Sequence, residues 1–486
     1  MTALAQVLFP ALRWRDGSGF DHEAQRIEEA LRLGVGGFIL FGGDAASVRD
    51  LTAELRRRSS TPLLIGADLE RGAGQQFRGA TQLPPAAALA ELDDLDVTRR
   101  AGELTAREAR ALGVDWVYAP VADLDLEPRN PIVGTRSFGA DPARAAAHIT
   151  AWIEGCRAGG ALSCAKHFPG HGRTLADSHA ELPVVTAERH ELETDLAPFR
   201  AAIRADVDSV MTAHVTFPAL DPSGAPATLS RAIIEGLLRE ELGFHGAVST
   251  DALNMQGVIE GGGEGAVAAV RALAAGCDVL LYPAEPAAVA AALEDALGAA
   301  LPHARAEAAL AAIARLRQRA NAIAPRAAEW GRPEDHAWAV SVADRTLRVV
   351  RGEPLRLPDA LDLVTVDDDV GGPYPPGPRD AFPASLRAAG AEVNEVEAPR
   401  PGRAVIIAVY ADIRGWKGRA GLSARAVAAV ANILEAAPDA TVVLFGHPRL
   451  AAELPEKAAH VLAAWGGERL MQEAAARRLA AGRMDE

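Results

Sequence analysis

The chain has 486 residues, 49% of them hydrophobic, enough for two domains with sizeable cores. Its 50 basic and 65 acidic residues leave a net charge of −15, which argues against a general nucleic-acid binder, since that needs a basic face. Three widely spaced cysteines, Cys156, Cys164 and Cys277, make neither a disulfide framework nor a CxxC metal clip. The opening MTALAQVLFPALRW has no basic segment ahead of an apolar core, and no apolar run reaches the ~18 residues of a spanning helix. A cytoplasmic protein without a membrane partner is expected.

Eight short apolar runs read as strands: Gln6–Phe9, Gly37–Phe41, Leu63–Ala67, Trp116–Ala119, Leu162–Ala165, Ser209–Thr212, Ala247–Thr250 and Val279–Tyr282. Between them lie helix-patterned segments with apolar residues three and four apart: Asp21–Leu33, Ala45–Arg58, Asp96–Leu112, Asp141–Ala158, Arg189–Ala205, Ser230–Glu241, Gly265–Ala275 and Pro286–Ala299. Asp21, Asp141 and Ser230 are expected to cap their helices. Eight strand–helix alternations predict a (β/α)8 TIM-type barrel. An open doubly wound sheet needs a glycine-rich dinucleotide loop after its first strand, where this chain has Pro10–Asp16. Gly34–Gly43 lacks the GK[ST] of a phosphate loop and reads as tight turns.

A helix over Pro302–Gln318 ends the barrel, and Ala322–Pro333 reads as a linker. Beyond it, a helix at Glu334–Thr346 opens a second αβ alternation. Its strands are expected near Leu347–Val350, Leu361–Val366, Glu392–Val396, Val405–Tyr410, Thr441–Phe445 and Val461–Ala464. Helices are expected near Ala381–Ala389, Ser423–Ala436 and Glu468–Ala481. The expected division is a catalytic barrel over 1–326 and a smaller αβα layer domain over 327–486. Asp367–Gly377, with three adjacent aspartates, reads as a solvated acidic turn.

Polar residues collect after strand after strand, at the rim where barrels build active sites. They are Asp68, Glu70 and Arg71; then Asp123 and Asp125, with Arg129, Asn130, Arg136 and Ser137; then Lys166–His179; then His214; then Asp251 and Asn254. Taken singly, Asp123 reads as a capping or turn residue and His214 as a satisfied core histidine. Lys166–His179, KHFPGHGRTLADSH, is the densest of these stretches, and its proline and glycines are expected to keep it out of regular structure.

KHFPGHG, the later DSH, GTRSFG at Gly134–Gly139, TAHV at Thr212–Val215 and STDALNM at Ser249–Met255 occur in an order that resembles family 3 glycoside hydrolases. More narrowly, they resemble that family's bacterial β-N-acetylglucosaminidases. The resemblance spans roughly the first 320 residues and implies a retaining exo-β-N-acetylglucosaminidase. Retaining cleavage needs an anionic nucleophile and an acid/base on opposite sides of the scissile bond. The resemblance carries the nucleophile to Asp251 and the acid/base to His179 paired with Asp177. It carries sugar contacts to Asp68, Arg136, Lys166 and His167. It implies a small carbohydrate as substrate, plausibly a cell-wall-derived muropeptide sugar, with no cofactor. No HxxxH or HExxH pattern points to a metal. His171 reads as structural. Two departures stand out: Arg173 where many relatives have Asp, and Gln76 where they have Arg. Arg173 is expected to add positive charge that favours an anionic leaving group.

Three other readings share these residues. A glycoside phosphorylase replaces water by phosphate, which a neutral histidine repels less than a carboxylate does. A Schiff-base aldolase uses Lys166. A non-catalytic sugar-binding barrel needs neither Asp251 nor the Asp177/His179 pair. The small residues between Gly172 and Asp177 predict a mobile arm that stands displaced from Asp251 until sugar binds.

Overall fold

The computed structural model describes residues 3–262, 265–322, 329–353, 356–370 and 376–481. Residues 323–328 of the expected linker, with the expected boundary at 326, and 371–375 of the acidic loop lie outside them. The chain divides into two compact units. The first runs to Gln82 and continues through Asp94–Glu127 and Ser137–Asp335; the second takes Leu83–Asp93, Pro128–Arg136 and the chain from His336.

The first unit is a parallel barrel. Its strands are β1 (Leu8–Phe9 and Ala11–Arg13, broken at Pro10), β2 (Gly37–Phe41), β3 (Leu64–Ala67), β4 (Trp116–Val117), β5 (Leu162–Phe168), β6 (Ser209–Thr212), β7 (Ala247–Ser249) and β8 (Leu280–Leu281). Each pairs in parallel with the next from β1 to β7. A Ser249–Val279 bridge and the β1–β8 pair close the ring. The strands are buried along nearly their whole length, as a sheet covered by helices requires. Asp141 caps its helix by accepting from the Arg144 N–H at 2.8 Å, with Pro142 in the first turn. Ser230 accepts from the Ile233 N–H at 3.2 Å, but the following helix, Ala232–Glu241, has π rather than α geometry. Asp21 does not cap: its helix opens with a 3-10 turn over Asp21–Glu23. A short helix over Ala86–Glu91 was not expected from the sequence.

The N-terminal end of the barrel is locked by one repeated device. Asp115, Asp208 and Asp278 stand just before β4, β6 and β8. Each carboxylate accepts from a backbone N–H of the preceding strand: Ile65 at 3.0 Å, Ser163 at 2.8 Å and Val248 at 2.9 Å. Each also meets arginine: Asp115 with Arg56 and Arg110, Asp208 with Arg319, and Asp278 with Arg239 and Arg305. Alternate strands are thus tied to their neighbours by charge-assisted hydrogen bonds.

The second unit is a six-stranded mixed sheet. Its strands are β9 (Arg348–Arg351), β10 (Ala360–Asp367), β11 (Glu392–Glu395), β12 (Ala404–Ala411), β13 (Thr441–Gly446) and β14 (His460–Ala463), ordered β9-β14-β13-β12-β10-β11. Only the β9–β14 pair is antiparallel. One face packs around Phe382, Leu386, Phe445 and Leu479, the other around Val430, Leu434 and Leu450, which makes an αβα layer. The expected solvated acidic turn is corrected here. Asp368 and Asp369 are buried, Asp368 on Ser423 and Arg419, and Asp369 on Arg379 and Lys417. Burial pushes the Asp369 carboxyl above its ordinary value, against the pull of Lys417.

Removing Asp278 from the barrel floor takes the near carboxylate from Arg239 and Arg305 and leaves them the longer contacts to Glu235. Asp278→Ala is expected to cost about 3 kcal/mol or more, read as a lowered urea midpoint.

Candidate active site

At the C-terminal rim of the barrel the side chains gather around Lys166 and His167. The sequence led to a loop from Lys166 onward. The structure corrects this: β5 continues through Lys166 and His167 to Phe168 before Pro169 ends it. A strand fixes its side chains better than a loop does, and the Lys166 Nζ sits 2.6 Å from Asp68 Oδ1 and 2.7 Å from Glu70 Oε1. Lys166 is only 2% exposed, so this pairing is what permits the charge to be buried.

His167 points the other way along the rim. Its Nδ1 lies 2.7 Å from Asp123 Oδ2 and its Nε2 lies 3.9 Å from Asp251 Oδ2. Asp123 also accepts from the backbone N–H of His167 at 3.1 Å and of His171 at 2.7 Å. Burial raises the Asp123 carboxyl, but His167, His171 and these hydrogen bonds outweigh it and hold it below the ordinary carboxylate value.

The turn after β5 is tied down by its own residues. His171 bonds Thr174 Oγ1 through Nδ1 at 2.7 Å and Ser178 Oγ through Nε2 at 2.9 Å, the structural part expected of it. A Cβ at Gly172 would stand 1.9 Å from the Leu124 carbonyl oxygen, so only glycine lets this turn lie on the β4 exit loop. Beyond it, Asp177 Oδ1 accepts from the His179 backbone N–H at 3.0 Å and lies 2.7 Å from His179 Nδ1. Asp177 is buried while the His179 side chain is 24% exposed. The Gly257 N–H, just beyond β7, donates to the Ser178 carbonyl at 3.0 Å. The expected displaced arm is therefore corrected: the Asp177–His179 segment is docked, held locally by His171 and from beyond β7 by the Gly257 N–H.

Asp251 follows β7. Burial pushes its carboxyl up, but His167, His214, His179 and the Ala252 N–H, at 2.7 Å, pull it down to about 2. His214 is a satisfied core histidine: Nε2 donates to the Ala252 carbonyl at 3.0 Å and Nδ1 meets Thr228 Oγ1 at 2.7 Å. Burial holds its pKa below the ordinary value, against the pull of Asp251.

The rim thus unites Asp68, Lys166, His167, Asp177, His179 and Asp251 within the first unit. Arg136 is placed differently. It lies on the Gly134–Arg136 turn of the second unit and donates to the Ile132 carbonyl at 2.9 Å. Arg173, expected as an added positive charge, is matched instead by Asp195 at 2.8 Å. Gln76 accepts from the Gly42 N–H at 3.0 Å, bracing the exit of β2. Glu70 and Asp123, placed at the rim from the sequence but given no part in the site, join it here. The spacing Asp68-x-Glu70, which aims both side chains one way in an extended segment, was the available signal for the first. Among the described residues no three His, Cys, Asp or Glu side chains are set up to hold a metal ion.

The Asp251 shift has a sign that can be checked. A depressed carboxyl adds stability that is complete above its unfolded value and is lost as pH falls toward 2. Wild type should therefore lose about 2 kcal/mol between pH 5 and pH 2 that Asp251→Asn does not lose, measured by urea unfolding across that range.

Residues 4–316 match the family model for the glycosyl hydrolase family 3 N terminal domain. A β-hexosaminidase from Thiobacillus denitrificans is 39% identical over 278 residues, covering 55% of this chain and 75% of that protein. A β-N-acetylglucosaminidase/β-glucosidase from Cellulomonas fimi is 39% identical over 260 residues, 51% of this chain and 46% of its own, so the match spans about half of that relative. The solved structure of a glycoside hydrolase family 3 β-N-acetylglucosaminidase from Paenibacillus sp. str. FPU-7 superposes with a TM-score of 0.85 at 29% identity, covering 99% of this chain and 96% of that one. With its barrel, its αβα layer and a family match over most of its length, this chain belongs to glycosyl hydrolase family 3.

Proposed function

We propose that the protein is a retaining exo-β-N-acetylglucosaminidase with Asp251 as nucleophile and the Asp177/His179 pair as acid/base. The observation that carries this reading is the 2.7 Å Asp177–His179 contact in a segment held by the Gly257 N–H, on the stretch that follows Asp251. An Asp251 carboxylate held ionised attacks the anomeric carbon. The bond to the aglycone oxygen breaks, and that oxygen takes the proton of His179 Nε2. Asp177 accepts from Nδ1–H and stabilises the imidazolium that precedes this transfer. In the second half, His179 Nε2 takes a proton from water as the water oxygen bonds to the anomeric carbon, and Asp251 leaves as a carboxylate. Two displacements on one carbon return the original configuration.

Asp68, Lys166 and His167 bind the sugar in this reading; Arg136 is assigned to it on the family resemblance alone. The N-acetylglucosaminyl preference is supported by the names of the relatives from Thiobacillus, Cellulomonas and Paenibacillus. Cell-wall-derived muropeptide sugars follow from the resemblance as the natural source. Phosphate as acceptor, the second reading, would yield sugar 1-phosphate in place of free sugar.

Protonation matters most for a poor leaving group. His179→Ala should lose about 100-fold or more in kcat/KM on a sugar-linked substrate and about tenfold or less on a nitrophenyl glycoside. Equal losses on both would rule His179 out as the acid.

A further inference from the structure

The catalytic reading gives Asp123 no task, yet its side chain is wholly enclosed at the rim. The barrel sheet counts β4 only to Val117, but the chain beyond it keeps step with β5. The Lys166 N–H donates to the Pro120 carbonyl at 3.2 Å, and the Ala122 N–H donates to the Lys166 carbonyl at 2.6 Å. One residue further along each chain stand Asp123 and His167. The Ser137 hydroxyl donates to the Asp123 carbonyl at 2.6 Å. The Asp123 backbone is therefore fixed before its carboxylate makes any contact.

Its two carboxylate oxygens do different things. Oδ1 accepts from the backbone N–H of His167 and of His171, which shapes the end of β5 and the turn after it. Oδ2 meets the His167 ring at Nδ1, 2.7 Å away. An ionised carboxylate only accepts hydrogen bonds, so Nδ1 carries the proton of the neutral ring. Nε2 is then the nitrogen that gains and loses a proton, and it lies 3.9 Å from Asp251 Oδ2. That gap is too long for a hydrogen bond and short enough for strong charge attraction. A bare Nε2 would set a lone pair beside the Asp251 carboxylate. A protonated one gives the ring a charge with a carboxylate near each nitrogen, which favours the ionised form of both.

Other charged groups face this row. His214 and His179 also pull on Asp251. The His171 ring stands 6.1 Å from that of His167, with Thr174 on one nitrogen and Ser178 on the other. Lys166 is matched by Asp68 and Glu70. Asp195, which feels the Asp123 charge, is matched by Arg173. His167 is the member that spans from one carboxylate to the other. We propose that Asp123 is a positioning residue for the nucleophile: through His167 it fixes which ring nitrogen faces Asp251, and so holds the Asp251 carboxylate ionised and in place. The proposal rests on the glycosidase reading above and adds to that site a group with no exposed surface.

The test reads the ring first and the reaction second. With isotopically labelled histidine, nitrogen NMR of wild type should show His167, assigned by its loss in H167Q, keeping its Nδ1 proton while Nε2 titrates. A neutral ring with its proton on Nε2 would overturn the proposal. D123N keeps an oxygen for the two backbone N–H groups and sets an amide N–H against Nδ1, so its neutral ring should carry the proton on Nε2 instead. In D123N the acidic limb of kcat/KM should move up by about one pH unit or more. Activity lost there should return at neutral pH, which marks titration rather than unfolding. The plateau should fall by about 10- to 100-fold, by the same factor on nitrophenyl and sugar-linked glycosides, unlike His179→Ala. A folded D123N with its acidic limb unmoved, or with its loss concentrated on the sugar-linked substrate, would overturn the assignment while leaving the enzyme reading in place. A wild type that cleaves neither glycoside would overturn the enzyme reading, and the ring-nitrogen result would still decide what Asp123 does to His167.

Discussion

A buried ammonium has to be matched by negative charge, and Lys166 is matched twice, by Asp68 and Glu70 from the exit of β3. That requirement pins β5 to the loop after β3 and sets the spacing of the rim. His167, one residue on, faces away from this pair and is held between Asp123 and Asp251. One short stretch of strand therefore orders carboxylates from three other strand ends. Removing Lys166 would leave the Asp68 and Glu70 carboxylates without the cation they share, a larger cost than the loss of one hydrogen bond.

The two ends of the barrel solve opposite problems with the same means. At the floor, Asp115, Asp208 and Asp278 use backbone N–H groups and arginines to tie strands together, and nothing there needs to be open. At the rim, Asp251 and His179 keep part of their surface accessible while their partners are sealed. Side-chain exposure is 21% for Asp251 and 24% for His179, against 0% for Asp123 and 1% for Asp177. The two groups proposed to react are reachable and their partners are buried, which is the arrangement that preorganised chemistry requires.

Local pattern was enough for most of the architecture. Gly37–Phe41 and Ser209–Thr212 are strands over the residues that apolar runs mark out, and Ala45–Arg58 is the helix its periodicity predicts. What local pattern misses is pairing across the fold. Pro169 and Gly170 hide the fact that β5 runs on to Phe168, because its register with β6 is a non-local fact. Asp123 reads as a turn residue until the fold brings His167 to it. Arg173 reads as spare charge until Asp195 meets it, 22 residues away. The stretch Pro128–Arg136 reads as barrel rim, but its contacts, such as that of Gly134 with Ile413, belong to the second unit. The acidic run Asp367–Asp369 looks solvated until Arg379, Lys417 and Arg419 are seen around it.

The account turns on Asp251 forming a bond to sugar. A 2-acetamido-5-fluoro-glycosyl fluoride would react at the first step and stall at the second, and intact-protein mass spectrometry reads the result directly. A gain of one glycosyl unit, mapped by peptide digestion to Asp251, is what the account predicts. A label on another carboxylate, or turnover with inverted configuration and no added mass, would contradict it.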